Sequence, residues 1–400
     1  MATMTEEGAK ELERQPQPAR RALIAAVALW VLPMLVVGVM VALQPWHRTV
    51  TPTYHRAVAR WWAQESLYSG FDYHYLPHFA VLFTPFHLLP VPVGDLLWRF
   101  IAAGLLMGGL WRFTSSIAGE DAPKRFLQAT ILAVPLCMPA LRNGQANALM
   151  AGLFLQAAAC LPRQQWWPAV LCMVLAVAVK QLSIVLILLA AVVYAPLRWR
   201  VVVGLALLTV LPFLSGPPAY VVGQHREAVL HLQACAEVTE HRFADINGIL
   251  RTFGTAFPPE ASKIIRVLAG GLTLGFWWLG ARRLAEPLRA LWLYALATAY
   301  LMLFNPMTEA NSYAILAPAL GAWAAFFLQG APSRAAHSLG WGVSFMALTM
   351  GLLPNVVRPL FGNNFALFWH PTMTIAFLAI LIGFIWRREQ PAAEPRIEAV

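Results

Sequence analysis

Apolar runs broken by short polar turns recur along the whole chain. They lie at about 22–43, 95–113, 126–141, 146–161, 166–180, 182–196, 200–216, 264–282, 288–304, 311–328, 336–354 and 370–386. Backbone polar groups cannot find water inside a bilayer, so each run predicts a helix that bonds its own N–H and C=O groups. Several runs are shorter than the roughly 20 residues that a straight span requires. A further run, HFAVLFTPFHLLPVP at 78–92, carries Pro85, Pro90, Pro92 and two histidines. Its length suits a re-entrant or interfacial segment better than a span. The pattern predicts an all-α polytopic membrane protein, a bundle of about 12 transmembrane helices.

Composition agrees. Hydrophobic residues make up 59% of the 400 positions and charged residues 12%, about half the charged share of soluble domains. A disordered chain, a collagen and a disulfide scaffold are excluded. A soluble enzyme is disfavoured, because so apolar a chain could not cover its surface. The formal charge of +10 does not point to nucleic acid, since no basic run is interleaved with aromatics. The basic residues sit in short loops instead. With the N-terminus in the cytoplasm, Arg112, Lys124, Arg125, Arg163, Arg198, Arg200, Arg282, Arg283, Arg289, Arg334, Arg387 and Arg388 all fall inside, as the positive-inside rule expects.

The organisation expected is a cytoplasmic tail 1–21, an integral-membrane domain 22–388 with outer loops 44–94 and 217–263, and a disordered cytoplasmic tail 389–400. No small-residue cleavage site follows the first apolar run, which reads as an uncleaved anchor. Cys137, Cys160 and Cys172 lie in apolar stretches and Cys235 in a polar loop. Small buried hydrophobes are the default reading for all four. His225, His231 and His241 show no compact metal spacing, so no metal ligands and no cofactor are assigned, and a divalent metal is left open.

Candidate chemistry gathers on the outer side. Tyr54, Val58, Trp61, Trp62 and Glu65 follow helical spacing, so 53–66 predicts an amphipathic helix on the outer leaflet. Glu65, at its end, arrives together with Asp72, His74 and His78 just beyond it; an interfacial aromatic belt alone would not need them. In Arg142-Asn143-Gly144-Gln145-Ala146-Asn147 the side-chain amides can donate and accept, which suits sugar hydroxyls or phosphate oxygens; a plain turn with an N-cap is the alternative. Lys180 stands alone inside VLAVAVKQLSIVLILL. A cation within a span marks a functional site by default, and phosphate is its natural partner; snorkelling to the interface is the alternative. Glu309, in Asn305-Pro306-Met307-Thr308-Glu309, is either a site carboxylate or a helix cap. A solvated amphipathic helix accounts for most of loop 217–263.

Tyr54, Leu67-Tyr68, then Tyr75-Leu76-Pro77 leading into Phe83-Thr84-Pro85 and Leu88-Leu89-Pro90, resembles glycosyltransferase family 87. Asn143-Gly144-Gln145-Ala146-Asn147 matches that family's N-G-Q-x-N motif. Lys180 sits where the family has a lysine, Asn305-Pro306 resembles its late (S/N)-P turn, and Asp245-Ile246-Asn247-Gly248-Ile249-Leu250 resembles a loop motif. The resemblance implies a GT-C fold in a bacterial inner membrane. It implies a hexosyltransferase of the cell envelope that moves a sugar, typically mannose, from a polyprenyl-phosphate donor to a lipid or glycan acceptor on the outer face, among membrane lipids.

One departure stands out. GT-C enzymes usually carry an Asp early in the first outer loop, where this chain reads Arg48-Thr49-Val50-Thr51-Pro52-Thr53. That Asp is the expected general base, so Asp72, Glu65, His55 and Glu309 are the substitutes, with Asp72 first. A lipid-phosphate leaving group needs positive charge rather than an acid, which Lys180, Arg56 and Arg142 could supply, beside the amides Asn143, Gln145 and Asn147. Tyr54, Tyr75, His78, Asn305 and Glu309 are the expected acceptor-side residues. A polyprenol-phosphate transporter and an inactive glycolipid-binding relative are the competing readings.

Overall fold

The computed structural model describes residues 17–70, 72–118, 121–235, 243–330, 333–362 and 364–388. Phe71, Glu237, Glu240, His241 and Arg242, together with 1–16 and the tail 389–400, lie outside the described residues.

All regular elements among the described residues are helices. The first are α1 (Gln17–Leu43), α2 (Thr51–Trp62), α3 (Pro77–His87), α4 (Val91–Ala118), α5 (Ala122–Asn143) and α6 (Ala146–Cys160). There follow α7 (Trp166–Val179), α8 (Ile184–Val193), α9 (Leu197–Val210), α10 (Pro218–Cys235) and α11 (Ile246–Thr252). The last are α12 (Pro259–Arg283), α13 (Leu288–Phe304), α14 (Ala317–Gly330), α15 (Arg334–Phe361) and α16 (Asn364–Trp386). Every apolar run read from the pattern falls on a helix. The proline-rich run forms α3, which at 11 residues is too short to span.

Six described helices are long and apolar enough to cross a bilayer, and four shorter ones are apolar. Some of the long ones lie at the periphery: only 28% of the apolar stretch of α1 is buried, and Leu32, Leu35, Val36 and Val39 are exposed along it. So much exposed apolar surface requires lipid. The short helices form the centre. In α6 every residue except Gln156 is buried, as expected of a helix apolar all round. Small residues let its neighbours close in: a Cβ on Gly152 would stand 2.7 Å from Leu105 Cβ, and one on Gly109 3.0 Å from Leu155 Cγ, both between α4 and α6.

Helix direction separates the two kinds of loop. Helices α5, α7 and α13 end at Asn143, Val179 and Phe304, beside the amide turn, Lys180 and Asn305. Their opposite ends carry the basic loops. There Arg112 donates to Gln165 Oε1 at 2.8 Å and Arg163 to the Arg112 carbonyl at 3.3 Å, while Arg283 donates to the Trp386 carbonyl at 2.7 Å. Helices α7 and α8 form a hairpin of 14 and 10 residues. At 1.5 Å per residue they rise only about 21 and 15 Å, short of the roughly 30 Å hydrocarbon core. The hairpin tip at Lys180 is therefore recessed within the bundle.

Candidate active site

A cavity of about 610 Å³ opens at the end of the bundle away from the basic loops, within the size range of small-ligand sites. Distant stretches wall it. Val50, Thr53 and Tyr54 come from the start of α2, and Asp72, His74 and Tyr75 from the segment between α2 and α3. Gln145 and Asn147 come from the amide turn, Lys180, Gln181 and Leu182 from the hairpin tip, and Leu232 and Cys235 from α10. Phe243, Arg266, the stretch Asn305–Pro306–Met307, Glu309 and Ser312 complete it.

The amide corner follows from local sequence. Helix α5 runs through Asn143 and stops at Gly144, whose φ is +68°, a conformation that glycine adopts without a Cβ penalty. A Cβ there would lie 2.8 Å from both Arg99 Nη2 and Thr51 Cγ2. Gln145 is extended and begins α6, so the turn is shorter than its amide content suggests. The Ala146 N–H, one of the unpaired donors of the first helical turn, donates to Tyr54 Oη at 3.1 Å. Tyr54 Oη also shares a hydrogen bond of 2.9 Å with Tyr75 Oη.

A continuous polar chain crosses the floor. Lys180 is extended (φ −154°), breaking the helix, and its Nζ donates to Asn147 Oδ1 at 2.7 Å. Asn147 Nδ2 donates to Ser312 Oγ at 3.0 Å, and Gln145 Nε2 to Glu309 Oε2 at 3.1 Å. Glu309 and Lys180 line the same cavity. On the wall formed by the segment between α2 and α3, Asp72 pairs with Arg56, and its Oδ2 accepts from Thr53 Oγ1 at 3.4 Å. Partial burial pushes the Asp72 carboxyl up, but the Arg56 guanidinium pulls it down further, leaving it below the ordinary carboxylate value.

Of the residues nominated from sequence, Asp72, Lys180, Gln145, Asn147, Tyr54, Tyr75, Asn305 and Glu309 line this cavity. Arg56 reaches it through Asp72. The others stand elsewhere. His55 is buried between Asp95, at 3.1 Å, and His87, at 3.0 Å. Glu65 is exposed, its carbonyl accepting from Tyr220 Oη at 2.8 Å. Arg142 lines a separate pocket with His47 at the end of α1. Asn143 offers its carbonyl to Val50 N at 3.0 Å and to Thr49 Oγ1 at 3.0 Å. His78 is buried against His225, ring centroids 5.2 Å apart.

Sequence reasoning missed several partners. Asp95, fully buried, accepts from Thr51 Oγ1 at 2.6 Å. Arg99 donates to Thr49 Oγ1 at 2.7 Å and to the Arg142 carbonyl at 3.3 Å. The two bind the α1–α2 connection to the amide turn. Arg266, in the apolar helix α12, lines the cavity; the argument that singles out Lys180, a charge inside a span, applies equally to it. Cys235 does not stand alone: its Sγ lies 3.3 Å from His74 Nδ1 and 3.5 Å from His231 Nε2, a set that could hold a metal. Spacing signals only the i, i+4 pair His231 and Cys235; His74 is 161 residues from Cys235.

A search of curated proteins gives no match. The model of glycosyltransferase family 87 matches residues 73–306, which include the amide turn, Lys180 and Asn305-Pro306. With more than half of its 400 residues matched, and its helices long and apolar enough for a bilayer, the chain belongs to glycosyltransferase family 87.

Proposed function

We propose that the protein is a GT-C-type hexosyltransferase of the bacterial inner membrane. It transfers a sugar, mannose in the simplest case, from a polyprenyl-phosphate donor to a lipid or glycan acceptor at the outer face. The observation that carries the reading is the Lys180–Asn147 contact of 2.7 Å in a cavity also lined by Asp72 and Glu309. A recessed ammonium in amide surroundings suits a phosphate that arrives on a lipid tail. Arg266 adds a second cation to the wall. The departing lipid phosphate is already anionic, so it needs these charges and no general acid.

The acceptor hydroxyl must lose a proton as it attacks the anomeric carbon. Asp72 is the carboxylate for this role. Its Oδ2 touches Thr53, within the stretch Arg48–Thr53 where GT-C enzymes usually carry their early Asp. A carboxylate reaching back from the outer segment thus stands in for one missing from the first loop. Glu309, held by Gln145, orients the amides and sugar hydroxyls. A single displacement inverts the anomeric centre; no second carboxylate is assigned as nucleophile.

The test uses the purified chain in lipid nanodiscs with polyprenyl-phosphate mannose and a panel of lipid and glycan acceptors. The reading expects release of polyprenyl phosphate, and a drop of roughly 10²–10⁴-fold in Asp72→Asn. Absence of release across the panel would overturn it.

A further inference from the structure

We propose that His74, His231 and Cys235 form a metal site for a divalent ion of the zinc type at the wall of the cavity.

The donor atoms converge. His74 Nδ1 lies 3.1 Å from His231 Nε2, and Cys235 Sγ lies 3.3 and 3.5 Å from the same two nitrogens. Tetrahedral zinc, with nitrogen at about 2.05 Å and sulfur at about 2.3 Å, requires N···N edges of about 3.3 Å and N···S edges of about 3.6 Å. The observed triangle therefore needs only a few tenths of an ångström of expansion. His231 and Cys235 are four residues apart on α10, so one helix face presents both. His74 enters from the segment between α2 and α3, where Gln181 Nε2 donates to its carbonyl at 3.4 Å. Its ring stacks on His231, interplanar angle 16°.

The chemistry of the donors also fits a cation. Each of the three atoms meets the other two, yet each can present either a proton or a lone pair in a given direction. Three lone pairs aimed at one cation satisfy all three at once. Two imidazoles and a thiolate are a borderline-soft set, favoured by zinc and disfavoured by magnesium or calcium. Binding releases the thiol proton to water and leaves two neutral imidazoles and one thiolate, a net charge of +1 with the ion. His74 and Cys235 both line the cavity.

The site is tested without turnover, so its failure is separate from failure of the transfer reaction. The full chain in nanodiscs is stripped with a chelator, dialysed, and titrated with Zn²⁺ and with Co²⁺ as a spectroscopic probe. The expected results are one metal per chain by elemental analysis and a thiolate-to-cobalt charge-transfer band. That band disappears in Cys235→Ser and persists in Cys172→Ser, while His231→Ala weakens zinc binding roughly 10-fold or more. Stripped native protein that takes up neither ion stoichiometrically would overturn the site, whatever the variants do. So would a charge-transfer band that survives in Cys235→Ser.

Discussion

Gly144→Ala should loosen the whole amide corner. Gly144 adopts φ +68° at the end of α5, and a left-handed conformation costs an L-residue roughly 1–2 kcal/mol. The added methyl would stand 2.8 Å from Thr51 Cγ2 and from Arg99 Nη2, and 2.9 Å from Arg99 Cζ. Neither neighbour can retreat. Thr51 is fully buried and bonded to Asp95 at 2.6 Å, and Arg99 is 1% exposed and bonded to Asp95, Thr49 and Arg142. Overpacking of this kind adds about 1–3 kcal/mol, so the total lies at about 2–5 kcal/mol. Equilibrium unfolding in mixed micelles reads the loss, with Gly271→Ala as control. Gly271 sits in the exposed part of α12 with nothing within 4 Å of a new Cβ, so its alanine should be neutral or slightly stabilising. Sugar transfer should fall in Gly144→Ala and not in Gly271→Ala, because Asn147 and Gln145 depend on the turn for position. If Gly144→Ala unfolds with the native protein and transfers at the native rate, the corner is not built as described.

Lys180→Met should weaken capture of the lipid phosphate by about 1.5–3 kcal/mol, the worth of a hydrogen bond to a charged group; binding of polyprenyl phosphate to nanodisc-embedded protein reads it. Asp72→Asn should lower kcat by roughly 10²–10⁴, whereas Glu309→Gln keeps a hydrogen-bonding oxygen opposite Gln145 and should lose roughly 10-fold or less. Comparing single-turnover rates of the two separates base from orienting group. Tyr54→Phe deprives the buried Ala146 N–H of its acceptor and should cost about 1–3 kcal/mol of stability, measured by the same micelle unfolding. Gly152→Val drives a side chain into Leu105, 2.7 Å from its Cβ, and should destabilise the α4–α6 contact by at least about 1–3 kcal/mol.

Much of the helical framework could be read from hydrophobicity, because lipid forces every buried segment to satisfy its own backbone. What this did not give was depth. Runs such as 166–180 and 182–196 read alike as spans, yet they make a short hairpin whose tip carries Lys180. Lys180 and the amides of 143–147 stood out because polar groups are costly in apolar surroundings, and the structure joins Lys180 to Asn147 directly. The same cost should have marked Asp95, Arg99 and Arg266, but each was absorbed into a run treated as apolar. His55 and Glu65 were nominated by proximity in the chain. The helical turn of α2 separates them from Tyr54, turning His55 toward Asp95 and leaving Glu65 in the open beyond its end. The triangle of His74, His231 and Cys235 had only a partial local signature, the i, i+4 pair His231 and Cys235; the fold brings His74 to it across some 157 residues.

Photolabelling of the native chain with a polyprenyl phosphate that carries its reactive group beside the phosphate tests the central claim most directly. The account predicts labelled peptides from 143–147, 180–182 and 305–312, with the label displaced by unmodified donor and lost in Lys180→Met. Label confined to the outward faces of α1, α12 and α15, and insensitive to competing donor, would contradict it.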